Sequence, residues 1–145
     1  MPRTDASPTE TDSCDRCEKP AGLCVCDLVA PIDTRTRVLI LQHPQEPDKE
    51  LGTARLANLA LANSELKVGL SWRSLKAIVG GEVDHKRWLV LYLGSAEIPR
   101  AEGPAPSLHL VDAKGKLLAE HPPLHKAIDG LVLLDGTWSQ AKTLW

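Results

Sequence analysis

Read from the amino end, the chain sets short apolar runs between polar and proline-rich stretches. The run "RVLILQH", from Arg37, is apolar without alternation between polar flanks. This predicts a strand covered on both faces, as in a parallel sheet. "WLVLYLG", from Trp88, and "DGLVLLDGTW", from Asp129, read the same way, and "SLHLVDAKGK", from Ser107, reads as a short strand running into a turn around Gly115. Between the first two runs, residues 49–63 ("KELGTARLANLALAN") place Leu51, Leu56, Leu59 and Leu61 at near-helical spacing, which predicts a helix despite Gly52 inside it. "SQAKTLW", from Ser139, starts another helix. Segment 64–87 shows no regular pattern, and "EIPRAEGPAP" is loop-like. Strands separated by helices or long loops predict an α/β fold with a mostly parallel sheet and helices on both faces.

Upstream of the first strand the pattern changes. Residues 1–12 are Thr, Ser, Pro, Asp and Glu with almost nothing to bury, which predicts a disordered tail. Residues 13–27 hold all four cysteines, as "CDRCEKPAGLCVC", and residues 28–36 read as the linker into an α/β domain spanning 28–145. Cys14, Cys17, Cys24 and Cys26 form two close pairs around a Pro/Gly turn, which can bring four thiolates together at tetrahedral distance around Zn²⁺. In a reducing compartment the other uses are a redox pair or unlinked surface thiols. A site with four protein ligands is structural, because it leaves no open position for a bound water.

Composition narrows the classes. With 145 residues, 43% of them apolar and 25% charged, the chain can bury one real core. A formal charge of −2 gives no global pull toward nucleic acid, so a polynucleotide partner would need a local patch. Only four Trp and one Tyr stand in for aromatics, with no Phe, so no aromatic-rich stacking platform of the kind that holds single-stranded RNA is visible in the sequence. The sequence has no apolar run long enough for a membrane span and no signal-peptide core at its start, which predicts a cytoplasmic protein with no membrane partner.

In open α/β sheets ligands sit at the carboxyl ends of strands, so the residues after each apolar run are the candidates. The first run delivers Gln42, His43 and Glu46. His43 can be a ligand contact, a general base or a loop histidine stiffened by Pro44. Thr53 and Arg55 lie near the start of the first helix, where a bound carboxylate would suit a guanidinium fork and a solvated arginine is the plainer account. Gly94 and Ser95 follow the second run, where a glycine lets backbone approach a ligand. Arg73, Lys76, Lys86 and Arg87 can form a phosphate-facing patch or a solvated face. His109, His121 and His125 show no metal-ligand spacing. "DGTW", after the last run, reads alone as punctuation, with Asp135 as helix cap, Gly136 as turn, and Thr137 and Trp138 as the first helical turn.

Taken together and in order, "CDRCEKPAGLCVC", "LILQHPQEPDKELGTARLANLAL", "LYLGSAEIP" and "LVLLDGTWSQAKTLW" resemble the DTW-domain family, the tRNA-uridine aminocarboxypropyltransferases, from Cys14 onward. The Asp-x-Thr-Trp motif of that family stands at Asp135, Thr137 and Trp138. The resemblance implies a SPOUT-like α/β core, a cysteine-rich zinc element, S-adenosylmethionine as co-substrate and tRNA as partner. It implies transfer of the 3-amino-3-carboxypropyl group to N3 of a tRNA uridine, leaving 5′-methylthioadenosine. Members usually continue past the helix that begins at the motif, so the chain is expected to be a C-terminally shortened form.

On that reading Asp135, Thr137 and Trp138 are the catalytic candidates. Asp135 would take or orient the imide proton of the uridine, or pair with the ammonium of the cofactor's amino acid arm. Thr137 would bind the cofactor or cap the helix. Trp138 would stack on a base or cover the sulfonium. Arg55, with Thr53 in support, is the candidate for the cofactor carboxylate, and His43, Gly94 and Ser95 complete the cofactor set. The alternatives are a SPOUT-type methyltransferase and an inactive module that binds tRNA or S-adenosylmethionine.

Overall fold

The computed structural model describes residues 13–47, 52–91, 109–112, 114–118 and 123–144. Strands β1 (Arg37–Gln42), β2 (Ser64–Val68), β3 (Trp88–Leu91) and β4 (Gly130–Asp135) form one sheet in the order β2-β1-β4-β3, with every pairing parallel. The predicted parallel sheet is therefore present, with β1 and β4 at its centre. The unbroken apolar character of "VLILQ" follows from that position, since Leu39, Ile40 and Leu41 are covered on both sides.

Register decides which residues meet on each face. Val38 and Ile40 of β1 point to the same side as Leu66 of β2 and Leu133 of β4, and there helix α1 (Ala54–Ala60) packs Ala54 and Ala57 on them, joined by Leu61. Leu39, Leu41 and Val132 point the other way, under helix α2 (Leu75–Val79), which contributes Leu75, Ile78 and Val79 beside Trp72 and Trp88. Helices thus cover both faces, as the pattern predicted. Gly130 is needed at the start of β4 because a Cβ there would lie 2.5 Å from the ring of Trp88, its partner in β3.

Three stretches differ from the sequence expectation. The described part of the first helix covers 54–60 rather than 49–63, because the chain turns at Ala62 and Asn63 to enter β2. Segment 64–87, which shows no pattern in sequence, holds β2, α2 and a single 3-10 turn at His85–Arg87. Its strand was hidden because β2 is an edge, and Glu65 and Lys67 take the places that Leu39 and Leu41 occupy one strand inward. Finally, of the run from Ser107, residues 107, 108 and 113 lie outside the described residues, and its described residues join no sheet; Val111 and Leu117 form one antiparallel bridge around the turn at Gly115, whose φ is 79°. A four-residue helix α3 (Leu124–Ala127) precedes β4, and helix α4 (Trp138–Leu144) follows it. Among the described residues no helix is long and apolar enough to cross a membrane.

Candidate active site and metal centre

The cysteine element folds as a pair of tight turns. Cys14 N–H donates to Lys19 O at 2.8 Å and Glu18 N–H to Cys14 O at 2.7 Å, and two 3-10 turns follow at Ala21–Leu23 and Cys26–Leu28. These turns bring Cys14 Sγ within 3.7 Å of Cys26 Sγ and Cys17 Sγ within 3.8 Å of Cys24 Sγ, and all four sulfurs lie within 4.8 Å of one another. Tetrahedral ligands about 2.3 Å from a central ion stand about 3.8 Å apart, so the four thiols fit a metal ion. All four are unlinked by disulfides. Their acidities diverge: the N–H groups of Cys17 and Arg16 draw the Cys14 thiol down to about 6, while burial and the neighbouring thiols push Cys26 up to about 12. Crowded thiolates repel, and a cation is the simplest group that would let all four ionise.

This element is fastened to α1. Lys19 Nζ donates to Gly52 O at 2.7 Å, and Arg55 pairs with the carboxylate of Glu18 at 2.5 Å. Glu18 stands at φ 59°, left-handed backbone that a non-glycine residue adopts at some cost. In a parallel sheet the chain leaves β1 at the carboxyl edge and must return to the amino edge to begin β2. The amino end of α1, with Thr53 as its cap residue, therefore lies at the carboxyl edge. Thr53 is exposed and makes no side-chain cap bond.

At that same edge the ends of β1 and β4 lie side by side. Gln42 and Asp135 are register partners, and Gln42 Nε2 donates to Asp135 Oδ2 at 2.8 Å. Gln42 is only 4% exposed, whereas Asp135 keeps partial contact with solvent. His43 follows; its N–H donates to Asp135 O at 2.9 Å, and its Nδ1 accepts from Gln45 N–H at 3.3 Å. The neutral ring then carries its proton on Nε2, as a donor.

Beyond Asp135 the motif turns into α4. Thr137, not Asp135, is the cap residue: Thr137 N–H donates to Gln140 Oε1 at 2.7 Å, and Gln140 N–H reaches Thr137 Oγ1 at 3.4 Å. This reciprocal pair is a capping box, in the spacing Thr-x-x-Gln. The same Gln140 side chain donates through Nε2 to Gln45 Oε1 at 2.9 Å, tying α4 to the loop after β1. Gly136 is the residue that permits the turn, since a Cβ there would meet Gln140 Cβ at 3.0 Å and His43 Cβ at 3.4 Å. Trp138 opens the helix with its side chain 60% exposed.

Gln42, His43, Asp135, Thr137, Trp138 and the α1 start with Thr53 and Arg55 thus share one edge of the sheet. Gly94 and Ser95 lie outside the described residues, as does His121. The suggested basic patch is divided. Arg73 follows β2, whereas Lys86 and Arg87 precede β3 at the opposite edge. Arg87 is held there by a two-pronged bond to Asp129 (2.7 Å on each prong), and Lys76 is paired with Glu82. Sequence reading missed the capping box, although the Thr-x-x-Gln spacing announces it, and missed the Gln42–Asp135 pair, which no local signal announces.

The DTW domain family matches residues 11–145 of the chain. Among curated proteins, the chain is similar to tRNA-uridine aminocarboxypropyltransferase 2 of Drosophila melanogaster, 26% identical over 140 residues that make up 95% of this chain and 50% of that protein. It is similar to the protein of the same name in Macaca fascicularis, 28% identical over 137 residues covering 91% of this chain and 40% of the relative. The similarity to tRNA-uridine aminocarboxypropyltransferase A of Arabidopsis thaliana is 27% over 136 residues, 90% of this chain and 49% of the relative. The chain thus spans half or less of the length of these relatives. No solved structure matches it. With its motif at the end of a central strand and the match running over nearly all its length, the chain belongs to the DTW domain family.

Proposed function

We propose that this chain is an S-adenosylmethionine-dependent tRNA-uridine aminocarboxypropyltransferase with a structural zinc ion on Cys14, Cys17, Cys24 and Cys26, and that it works in the cytoplasm. The observation that carries the reading is Asp135 of the family motif, at the carboxyl end of a central strand and anchored by the buried Gln42. The names of the relatives support the choice of reaction. The sulfonium of the co-substrate supplies an electrophilic methylene carbon and a leaving thioether that needs no proton. The protein therefore has two tasks, orientation and help for a weak nucleophile.

Asp135 accepts the N3 proton of the uridine as N3 forms its bond to that methylene carbon. The carbon–sulfur bond breaks with its electron pair going to sulfur, and Asp135 then passes the proton to water. Trp138, exposed at the opening of α4, offers a stacking face for the base. Thr137 holds the helix start that presents it. Arg55, with Thr53 beside it, receives the carboxylate of the amino acid arm; a guanidinium has five donors, so the bond to Glu18 leaves others to use. His43, whose Nε2 is the donor, faces the same edge, and Gly94 and Ser95 are assigned to the cofactor by their place after the second apolar run.

The test is Asp135→Asn, which keeps shape and removes the acceptor. We expect 5′-methylthioadenosine formation on tRNA to fall by at least 100-fold while the thermal unfolding midpoint stays close to wild type. Wild-type turnover in the variant would remove Asp135 from the mechanism. Adenosylhomocysteine in place of methylthioadenosine would mark a methyltransferase, and tRNA binding with neither product would mark a binding module.

A further inference from the structure

We propose that Gln42 is the positioning residue of this site, holding the Asp135 carboxylate in the orientation from which it accepts the substrate proton; the inference rests on the reading of Asp135 given above. Gln42 closes an apolar run in which the four preceding residues, Val38, Leu39, Ile40 and Leu41, are all buried core. Burying a carboxamide at the next position is unfavourable unless it finds a partner. Its partner is the carboxylate of Asp135, at 2.8 Å. A carboxylate only accepts, so the amide must turn Nε2 toward it, and this fixes Oδ2. Among the described residues Oδ1 accepts no hydrogen bond, while the residue retains contact with solvent. One oxygen is held from inside the sheet, and the other is left for a ligand.

A purely architectural account of the pair explains less. β1 and β4 already pair in register from Arg37↔Gly130 to Gln42↔Asp135, and His43 N–H closes the ladder on Asp135 O at 2.9 Å. The strands do not need a side-chain tie to stay aligned. What the backbone leaves undetermined is the rotation of the Asp135 side chain, and Gln42 is the described residue that fixes it. Misorientation of a reacting group by even about 1 Å lowers rates by about 100-fold, so the hydrogen bond is expected to act on turnover.

The experiment compares Gln42→Met, which keeps length and removes the N–H, with wild type and Asp135→Asn, reading methylthioadenosine formation at varied S-adenosylmethionine. The expected result is a kcat lower by about 10- to 100-fold, with KM for S-adenosylmethionine changed less than threefold and the unfolding midpoint within a few degrees. In Asp135→Asn, adding Gln42→Met should change the residual rate less than twofold, because its effect passes through the carboxylate. A wild-type kcat in Gln42→Met beside a loss in Asp135→Asn would overturn this proposal alone, as would a change confined to KM. Wild-type turnover in Asp135→Asn, or no methylthioadenosine from the wild-type chain, would overturn the reading of Asp135 and this proposal with it. Should Gln42→Met fail to fold, Gln42→Asn, which keeps the amide on a shorter stem, is read by the same criteria.

Discussion

Thr137 is the residue at which architecture meets the proposed chemistry, because its N–H and Oγ1 both engage Gln140 while its neighbours Asp135 and Trp138 stand at the edge proposed to bind ligand. Removing the hydroxyl frees one donor of the helix start. Thr137→Ala should therefore cost about 1 kcal/mol, lowering the unfolding midpoint by a few degrees, and Thr137→Ser should restore it. Calorimetric melting of the two variants checks this; an unchanged midpoint in Thr137→Ala would show that the cap bond contributes nothing. If Thr137 also contacts the cofactor, activity in Thr137→Ala will fall by more than the melting shift explains. The motif itself was readable as a strand-to-helix turn, and its residue types left the cap open between Asp135 and Thr137, because both are good cap residues. Only the Thr-x-x-Gln spacing separates them, and it favours Thr137. The hydrogen bond from Gln42 to Asp135 could not be read locally, since its partners are 93 residues apart and meet only through sheet register.

At the scale of elements, burial decides what sequence reveals. β1 and β4 are central, so their inward positions on both faces are apolar and the runs stand out. Among the described strands β2 is at an edge, and its Glu65 is flanked by Lys67 of the same strand at 2.8 Å and by Arg37 of β1 at 2.7 Å; the two charged positions, Glu65 and Lys67, erased the apolar signature of the strand. Charged residues on an edge also discourage pairing with another chain. Lys67, then Arg37, lower the pKa of Glu65 below its ordinary value in the folded protein. A depressed folded value means the cluster stabilises the fold above the unfolded-state pKa of the carboxyl, and that contribution is lost as pH falls through the folded value. With the side chains about one-third exposed, solvent screening limits the effect to roughly 1 kcal/mol or less. Urea unfolding of wild type and Glu65→Gln should thus differ by that amount at pH 7 and converge in strong acid. A constant difference across the whole range would show that charge is not the cause.

At the scale of the whole molecule, the cysteine element and the sheet are one mechanical system. Their described links are Lys19 Nζ on Gly52 O and Glu18 on Arg55, and both end on the start of α1, the helix that carries the proposed cofactor residues. Four thiols at tetrahedral spacing hold Glu18 and Lys19 in place only while the turn between Cys14 and Cys24 is formed, and binding free energy at such a site is also folding free energy. Loss of the proposed zinc ion should therefore be felt at α1 although no cysteine lies on it. On treatment with a chelator, we expect about one zinc released per chain and faster hydrogen exchange at Ala57 and Leu61, whose N–H groups bond to Thr53 O and Ala57 O of α1. Strands β1 and β4 should keep their protection. Glu18→Gly separates latch from metal, because glycine suits the left-handed turn and removes only the carboxylate. That variant should retain zinc and show the same faster exchange at α1 in smaller degree, with weaker binding of S-adenosylmethionine if the new freedom of Arg55 disorders its carboxylate site. Unchanged exchange at α1 in the chelated protein would show that the element is a passenger on the sheet rather than a support for the site.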